Sequence, residues 1–272
     1  MPLEPGSPSD PTVLILDSGV GGLSVYKEIR QQLRNIKYIY FFDNAAFPYG
    51  EKPEAFIVQR VLNIVTAVHR RHPLSVAVVA CNTASTVSLP ALRRRFTFPV
   101  VGVVPAIKPA AKLTRNGIIG LLATRATVQR SYLLDLIKRF AGNCKIELLG
   151  SAELVELAEA KLQGKIVHLS VLEEILHPWL TMSEPPDTVV LGCTHFPLLA
   201  EEIVQVLPQG SRLIDSAAAI ARRTASLVGS QCSIEPIQSD NVAYCTELNK
   251  KANTLLPVLQ AYGFAELQQF VV

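Results

Sequence analysis

The chain has 272 residues, 49% of them hydrophobic, and a formal net charge of +3. That length suits about two domains with full apolar cores. The charge is too small to argue for a nucleic-acid partner, and no apolar run approaches the roughly 18 residues of a membrane span. Five cysteines, an odd number with no CxxC, do not make a disulfide framework and fit a reducing, cytoplasmic location.

The start, MPLEPGSPSDPT, has proline at positions 2, 5, 8 and 11. It lacks the apolar core of a signal peptide, and residues 1–12 are expected to be a flexible tail. VLILD (13–17) reads as a buried strand, the glycine-rich stretch 18–22 as a tight turn, and 23–33 as an amphipathic helix. Glycines here let the backbone approach a ligand at a helix N-terminus. YIYFFD (38–43) is a second strand, followed by a loop over 44–53 and a helix over 54–71. VAVVA (76–80) is a buried strand that ends in Cys81, Asn82 and Thr83, and a helix follows from about Ser85. The arginine runs 70–71 and 93–95 suit helix C-termini, where cations are favoured.

Another apolar run, 100–104, precedes Pro105 and a helix over 106–113. GIIGLLA (117–123) is a strand ending in Thr124, and Thr127 is the expected N-cap of a helix over 128–140. A short strand at 145–149 leads to a helix capped by Ser151 and to a longer one over 166–180. TVVLG (188–192) then delivers Cys193, Thr194 and His195, with a helical stretch over 196–206. RLID (212–215) is the last clear strand and 217–227 a helix. Beyond Ser230 the pattern is mixed, with one helix expected over 249–262.

Strands alternate with helices, which predicts an α/β fold of parallel-rich sheets covered by helices. The pair VLILDSG and VAVVACNT is echoed by GIIGLLAT and TVVLGCTH at comparable spacing. Two similar α/β halves facing one cleft follow from that echo. Ligands bind at the carboxyl ends of strands in such sheets. Cys81 and Cys193 both sit there, each between a strand and a helix, a position that exposes the sulfur and favours the thiolate. Cys144, Cys232 and Cys245 read as structural. Asp17 is either a turn carboxylate or a partner for a thiol or an ammonium. His195 could tune the proton traffic of Cys193. Glu153, Glu156 and Glu159 share one helix, mostly as a solvated face.

Three other functions compete. A nucleotide-binding Rossmann unit would use Gly19, Gly21 and Asp43, but the third glycine position, 24, is serine. A cysteine hydrolase built on Cys193 and His195 is poorly supported by their near adjacency. A binding protein without catalysis would not need two thiols.

The residues then become specific. LDSGVGGLSV (16–25), FFDNAAFPYGEK (41–52), ACNTAS (80–85) and LGCTHFPLL (191–199) resemble the cofactor-independent aspartate/glutamate racemases, the glutamate racemases in particular. VGVVPA (101–106), ATRATVQRSYL (123–133) and LIDSA (213–217) fit the same family. The resemblance implies two similar α/β domains with the active site in the cleft between them. On this chain the division becomes 13–104 plus 213–272 for one and 105–212 for the other. It implies interconversion of L- and D-glutamate for peptidoglycan without pyridoxal phosphate, metal or nucleotide, aspartate racemisation being the alternative within the fold. Some members respond to a cell-wall precursor. Carried over, Cys81 deprotonates D-glutamate, Cys193 deprotonates L-glutamate, and Asp17 and His195 assist them. Asp17, Ser18, Tyr49, Gly50, Asn82, Thr83, Thr124, Thr194 and His195 are the implied substrate site. Glu159 matches the family's helix glutamate, although LVELAE (154–159) stands where the family often shows FVPLVE. A homodimer is expected, with no nucleic-acid or membrane partner.

Overall fold

The computed structural model describes residues 11–228 and 241–272. The strands are β1 (Thr12–Asp17), β2 (Lys37–Phe42), β3 (Val76–Val79), β4 (Val100–Gly102), β5 (Ile118–Ala123), β6 (Lys145–Gly150), β7 (Thr188–Leu191), β8 (Arg212–Ile214), β9 (Val242–Cys245) and β10 (Leu267–Gln269). Among the described residues they form a six-stranded sheet of order β10-β9-β2-β1-β3-β4 and a four-stranded sheet of order β6-β5-β7-β8. Every pairing is parallel. Parallel strands covered on both faces read as continuous apolar runs, and β1, β3, β5 and β7 are buried along their whole length.

The expected echo is visible in the hydrogen bonds. The order β2-β1-β3-β4 recurs as β6-β5-β7-β8. The Ala80 N–H donates to the Leu16 carbonyl at 2.7 Å, and the Gly192 N–H donates to the Leu122 carbonyl at 2.7 Å. Cys81 and Cys193 therefore leave their sheets at equivalent points.

Helices Leu23–Gln32 and Ala217–Val228 cover one face of the larger sheet through Tyr26, Ile29, Ile220 and Ala221. Helices Glu54–Arg71 and Asn82–Arg95 cover the other through Ile57, Val61, Ile64 and Leu92. In the smaller half, Glu153–Leu162 and Leu169–Leu180 pack Leu154, Leu172 and Trp179 on one face. Ile107–Leu113 and Ser131–Phe140 pack Ile107, Ala110 and Leu133 on the other. The arginines at 70–71 and 93–95 do lie in the last turns of their helices.

Several local expectations are corrected. Thr12 is not tail but the first residue of β1, paired with Lys37, while residues 1–10 lie outside the described residues. Leu213 and Ile214 belong to the smaller sheet, because β8 pairs with β7 through Val189 and Val190. The helix after Cys81 starts at Asn82 rather than Ser85. Thr124, not Thr127, is the cap: its hydroxyl accepts from the Thr127 N–H at 3.3 Å and opens a single turn, Arg125–Val128, before Ser131–Phe140. The C-terminal helix is two short ones, Lys250–Asn253 and Leu256–Ala261, the second beginning with Pro257 in its first turn. Between Val228 and that pair lies β9, with β10 after it. Cys232 lies outside the described residues.

Asp43 ends β2 with no exposed surface and is fully engaged. It accepts from Arg60 Nε and Nη2, both at 2.8 Å, from the Tyr49 hydroxyl at 2.7 Å and from the Thr246 hydroxyl at 2.8 Å. A carboxylate so occupied has no lone pair left for a ribose, which removes the Rossmann reading of this residue. Arg60 is only 26% exposed. Arg60→Ala leaves a buried carboxylate without its cation and should cost roughly 3–5 kcal/mol. A urea titration checks this; an unchanged midpoint would contradict the assignment.

Candidate active site

The site lies where the turn after β1 meets the turns after β3, β5 and β7. Cys81 is the N-cap of Asn82–Arg95, and Cys193 follows β7 by two residues. They are 7% and 8% exposed, so neither sulfur is presented to solvent as the sequence suggested. For Cys81 this reverses the expected electrostatics. Burial pushes its thiol well up, and the Asp17 charge adds to the rise. The Ala84 N–H at the helix start and the Ser18 hydroxyl pull the other way and lose. Removing an anion from water outweighs one helix end.

Each cysteine has its own polar support. Ser18 Oγ stands 3.9 Å from Cys81 Sγ and 3.4 Å from Asp17 Oδ1, linking the thiol to the carboxylate. Asp17 is buried. Its Oδ1 accepts from the Ser18 N–H at 2.6 Å as a turn carboxylate would. Its Oδ2 accepts from the Thr194 hydroxyl at 3.0 Å, a bond to the other half. Burial raises its pKa, while His195 and the Ser18, Thr194 and Gly22 donors oppose the rise.

On the other side, His195 Nδ1 lies 3.8 Å from Cys193 Sγ and Nε2 lies 3.4 Å from Glu159 Oε1. Burial works against an imidazolium here, but Cys193, Glu159 and Asp17 outweigh it and push the pKa up to about 10. Glu159 is itself buried, which favours its neutral form, yet His195 and Lys251 hold its pKa below the ordinary carboxylate value. Glu159 is thus set apart from Glu153 and Glu156 of the same helix, which take no part in this chain of contacts.

The glycines have a different use from the expected one. A Cβ on Gly21 would lie 2.5 Å from His195 Nδ1, and one on Gly19 would lie 2.8 Å from Glu159 Oε1. These positions are glycine because the other half of the molecule passes close by. Ser24, the residue that spoils the nucleotide-binding pattern, places its hydroxyl 2.9 Å from the Thr194 carbonyl and helps tie the same two turns.

The remaining substrate-site candidates also converge. Thr83 Oγ1 is 3.4 Å from Thr124 Oγ1 and 3.3 Å from Thr127 Oγ1, and the latter two are 2.9 Å apart. Asn82 Oδ1 is buried and has no hydrogen-bond partner among the described residues. Gly50 faces Thr124 at the wall of a cavity of about 280 Å³ that also includes Phe47, Pro48 and Glu156. Tyr49 is buried and its hydroxyl is spent on Asp43, so it braces the wall rather than offering a free donor. Sequence reasoning missed Thr127 as a member of the hydroxyl cluster and Lys251 altogether. Lys251 lies in a stretch with no strong periodicity, and nothing local marks it. Among the described residues, no group of three or more His, Cys, Asp or Glu is placed to hold a metal ion, and no helix is long and apolar enough to cross a membrane.

The two halves each present a buried cysteine beside polar and titratable groups at equivalent points of their sheets. The Asp/Glu/Hydantoin racemase family matches residues 13–224, and the chain belongs to it. The glutamate racemase of Yersinia pseudotuberculosis serotype O:3 is 69% identical over 266 residues, 98% of this chain and 93% of its own. The Escherichia coli glutamate racemase, solved with L-glutamate and the activator UDP-MurNAc-ala, is 67% identical with a TM-score of 0.93, over 97% of this chain and 99% of that one. The RacE1 isoform from Bacillus anthracis shares 28% identity at a TM-score of 0.83, covering 96% and 98% of the two chains.

His195 should be an imidazolium at pH 8, read by ¹⁵N NMR of histidine-labelled protein, and Glu159→Gln should lower its titration. A raised folded-state pKa contributes stability that is complete below about 6.5 and is lost as pH rises through about 10. The variant should therefore lose less stability across that window. A neutral His195 at pH 7 in the parent protein would contradict the assignment.

Proposed function

We propose that the cleft interconverts L- and D-glutamate by moving one proton at Cα between Cys81 and Cys193, supplying D-glutamate for peptidoglycan. The observation that carries the reading is the equivalent exit of the two cysteines from β3 and β7 into one buried interface, each with its own partners. The Cα proton is poorly acidic, and racemisation must return a proton to the opposite face. Two facing groups, one thiolate and one thiol, do this without repositioning and exchange states at each turnover. Cys81 would take the proton of D-glutamate and Cys193 that of L-glutamate.

The surroundings support a role for each partner. Asp17, reached through Ser18, can hold the proton that Cys81 must lose before it acts as a base. His195, backed by Glu159, can give and take the proton of Cys193. Asn82 Oδ1 suits an N–H of the substrate ammonium, the hydroxyls of Thr83 and Thr124 suit its carboxylates, and Thr194, whose hydroxyl is given to Asp17, lines the site beside them. Hydrogen bonds fixed in a dry site stabilise the carboxylate as it gains negative charge. Tyr49 and Gly50 shape the wall. The described cysteines are all free thiols, which supports a cytoplasmic location. The same reading includes a homodimer, to be checked by light scattering, and a response to UDP-MurNAc-ala like that of the Escherichia coli relative.

Protein dialysed against chelator and treated with a carbonyl-trapping reagent should racemise L-glutamate in a chiral assay and leave L-aspartate essentially unchanged. Cys81→Ser and Cys193→Ser should each lower the rate by about 10³ or more while preserving the circular dichroism, because an alcohol is a far poorer base near neutral pH. Substantial activity in either variant, or activity restored only by pyridoxal phosphate or a metal, would overturn the reading.

A further inference from the structure

Lys251, which lies outside the recognised motifs, touches the supporting machinery of Cys193. Its Nζ lies 2.9 Å from Glu159 Oε2 and 5.3 Å from the centre of the Phe47 ring. Glu159 Oε1 is the oxygen that faces His195, so the two carboxylate oxygens are divided between Lys251 and His195. His195 in turn meets Cys193. Lys251, Glu159, His195 and Cys193 thus form one continuous line from the surface to the buried sulfur.

The two ends of the Lys251–Glu159 pair belong to different halves. Lys251 sits in Lys250–Asn253, whose Ala252 is buried with β1, β2 and β9 in the core of the larger half, with Leu255 just beyond it. The Asn249 side chain caps that turn, accepting from the Ala252 N–H at 2.9 Å. Glu159 sits on Glu153–Leu162, whose Leu154, Val155 and Ala158 are buried in the smaller half. The ion pair exists only while the halves are together. Phe47, from the loop after β2, lies on Lys251 and also flanks His195, with ring centres 6.0 Å apart.

We propose that Lys251 is a positioning residue for Cys193. By holding Glu159 Oε2 it aims Oε1 at His195, and it thereby links closure of the cleft to the assembly of one of the two acid/base groups. This rests on the two-cysteine reading above. Lys251 touches neither cysteine and is 60% exposed, so its effect is one of orientation rather than proton transfer.

A kinetic isotope experiment separates this role from general destabilisation. The ratio of kcat/KM for the two enantiomers is fixed by the reaction equilibrium, so the comparison uses substrate deuterium effects. In Lys251→Met, kcat/KM should fall about tenfold in both directions. If the step at Cys193 has become slower, the deuterium effect with α-deuterated L-glutamate should rise. With α-deuterated D-glutamate it should fall, because reprotonation from Cys193 then limits the rate. Lys251→Arg should restore both, and Lys250→Met, on the same turn but outside the line, should behave as the parent. Equal changes in the two isotope effects, or none, would overturn the proposal. Failure of the two-cysteine reading would instead show as activity in the parent that survives replacement of either cysteine, so the two failures are distinguishable.

Discussion

The turn after β1 meets the turn after β7 across the cleft, and the buried carboxylate of Asp17 finds its partner in that meeting. Asp17 gives one oxygen to its own turn and the other to Thr194. Ser24 reaches the Thr194 carbonyl, and Gly19 and Gly21 leave room for Glu159 and His195. A buried carboxylate without partners is costly. Pulling the halves apart would strip Asp17 of Thr194 and Glu159 of Lys251, with water as the replacement. The closed arrangement is therefore the one in which the charges of the site compensate one another.

That compensation also shapes the chemistry. Burial raises the thiol of Cys81, so the covered cleft favours its protonated form. Asp17 is raised as well, so burial opposes the anionic form of both the carboxylate and the thiol on this side. The opposite side is different: Cys193, Glu159 and Asp17 push the pKa of His195 up, and its Nε2 faces Glu159. The two cysteines thus have equivalent positions and unlike neighbours. Such an asymmetry suits a pair that must rest in opposite protonation states, and the sense of the pair reverses with the enantiomer bound.

The sequence was informative where burial is continuous. The apolar runs that became β1, β3, β5 and β7 fixed the sheet centres, and their polar ends located Asp17, Cys81, Thr124 and Cys193. The parallel α/β architecture and its repeat follow from the same runs. It was silent where contacts are made in space. Strands β9 and β10 are only four and three residues long and lack a clear period, so the larger sheet looked narrower than it is. Lys251 carries no local signature, and the hydroxyl triangle of Thr83, Thr124 and Thr127 joins residues from both halves. The placement of Cys81 at a helix start was legible, but its pKa was not. That depends on how completely the second half covers the first.

Isotope placement in D₂O shows most directly whether two different groups handle the proton on the two faces of Cα. Starting from L-glutamate, the D-glutamate formed early should carry deuterium at Cα, while the remaining L-glutamate stays protonated. Starting from D-glutamate, the pattern should be mirrored. The donating thiol has equilibrated with solvent, whereas the proton taken from substrate stays on the opposite sulfur. Early product that keeps a substantial share of the original proton would mean a single shuttling base and would contradict the account.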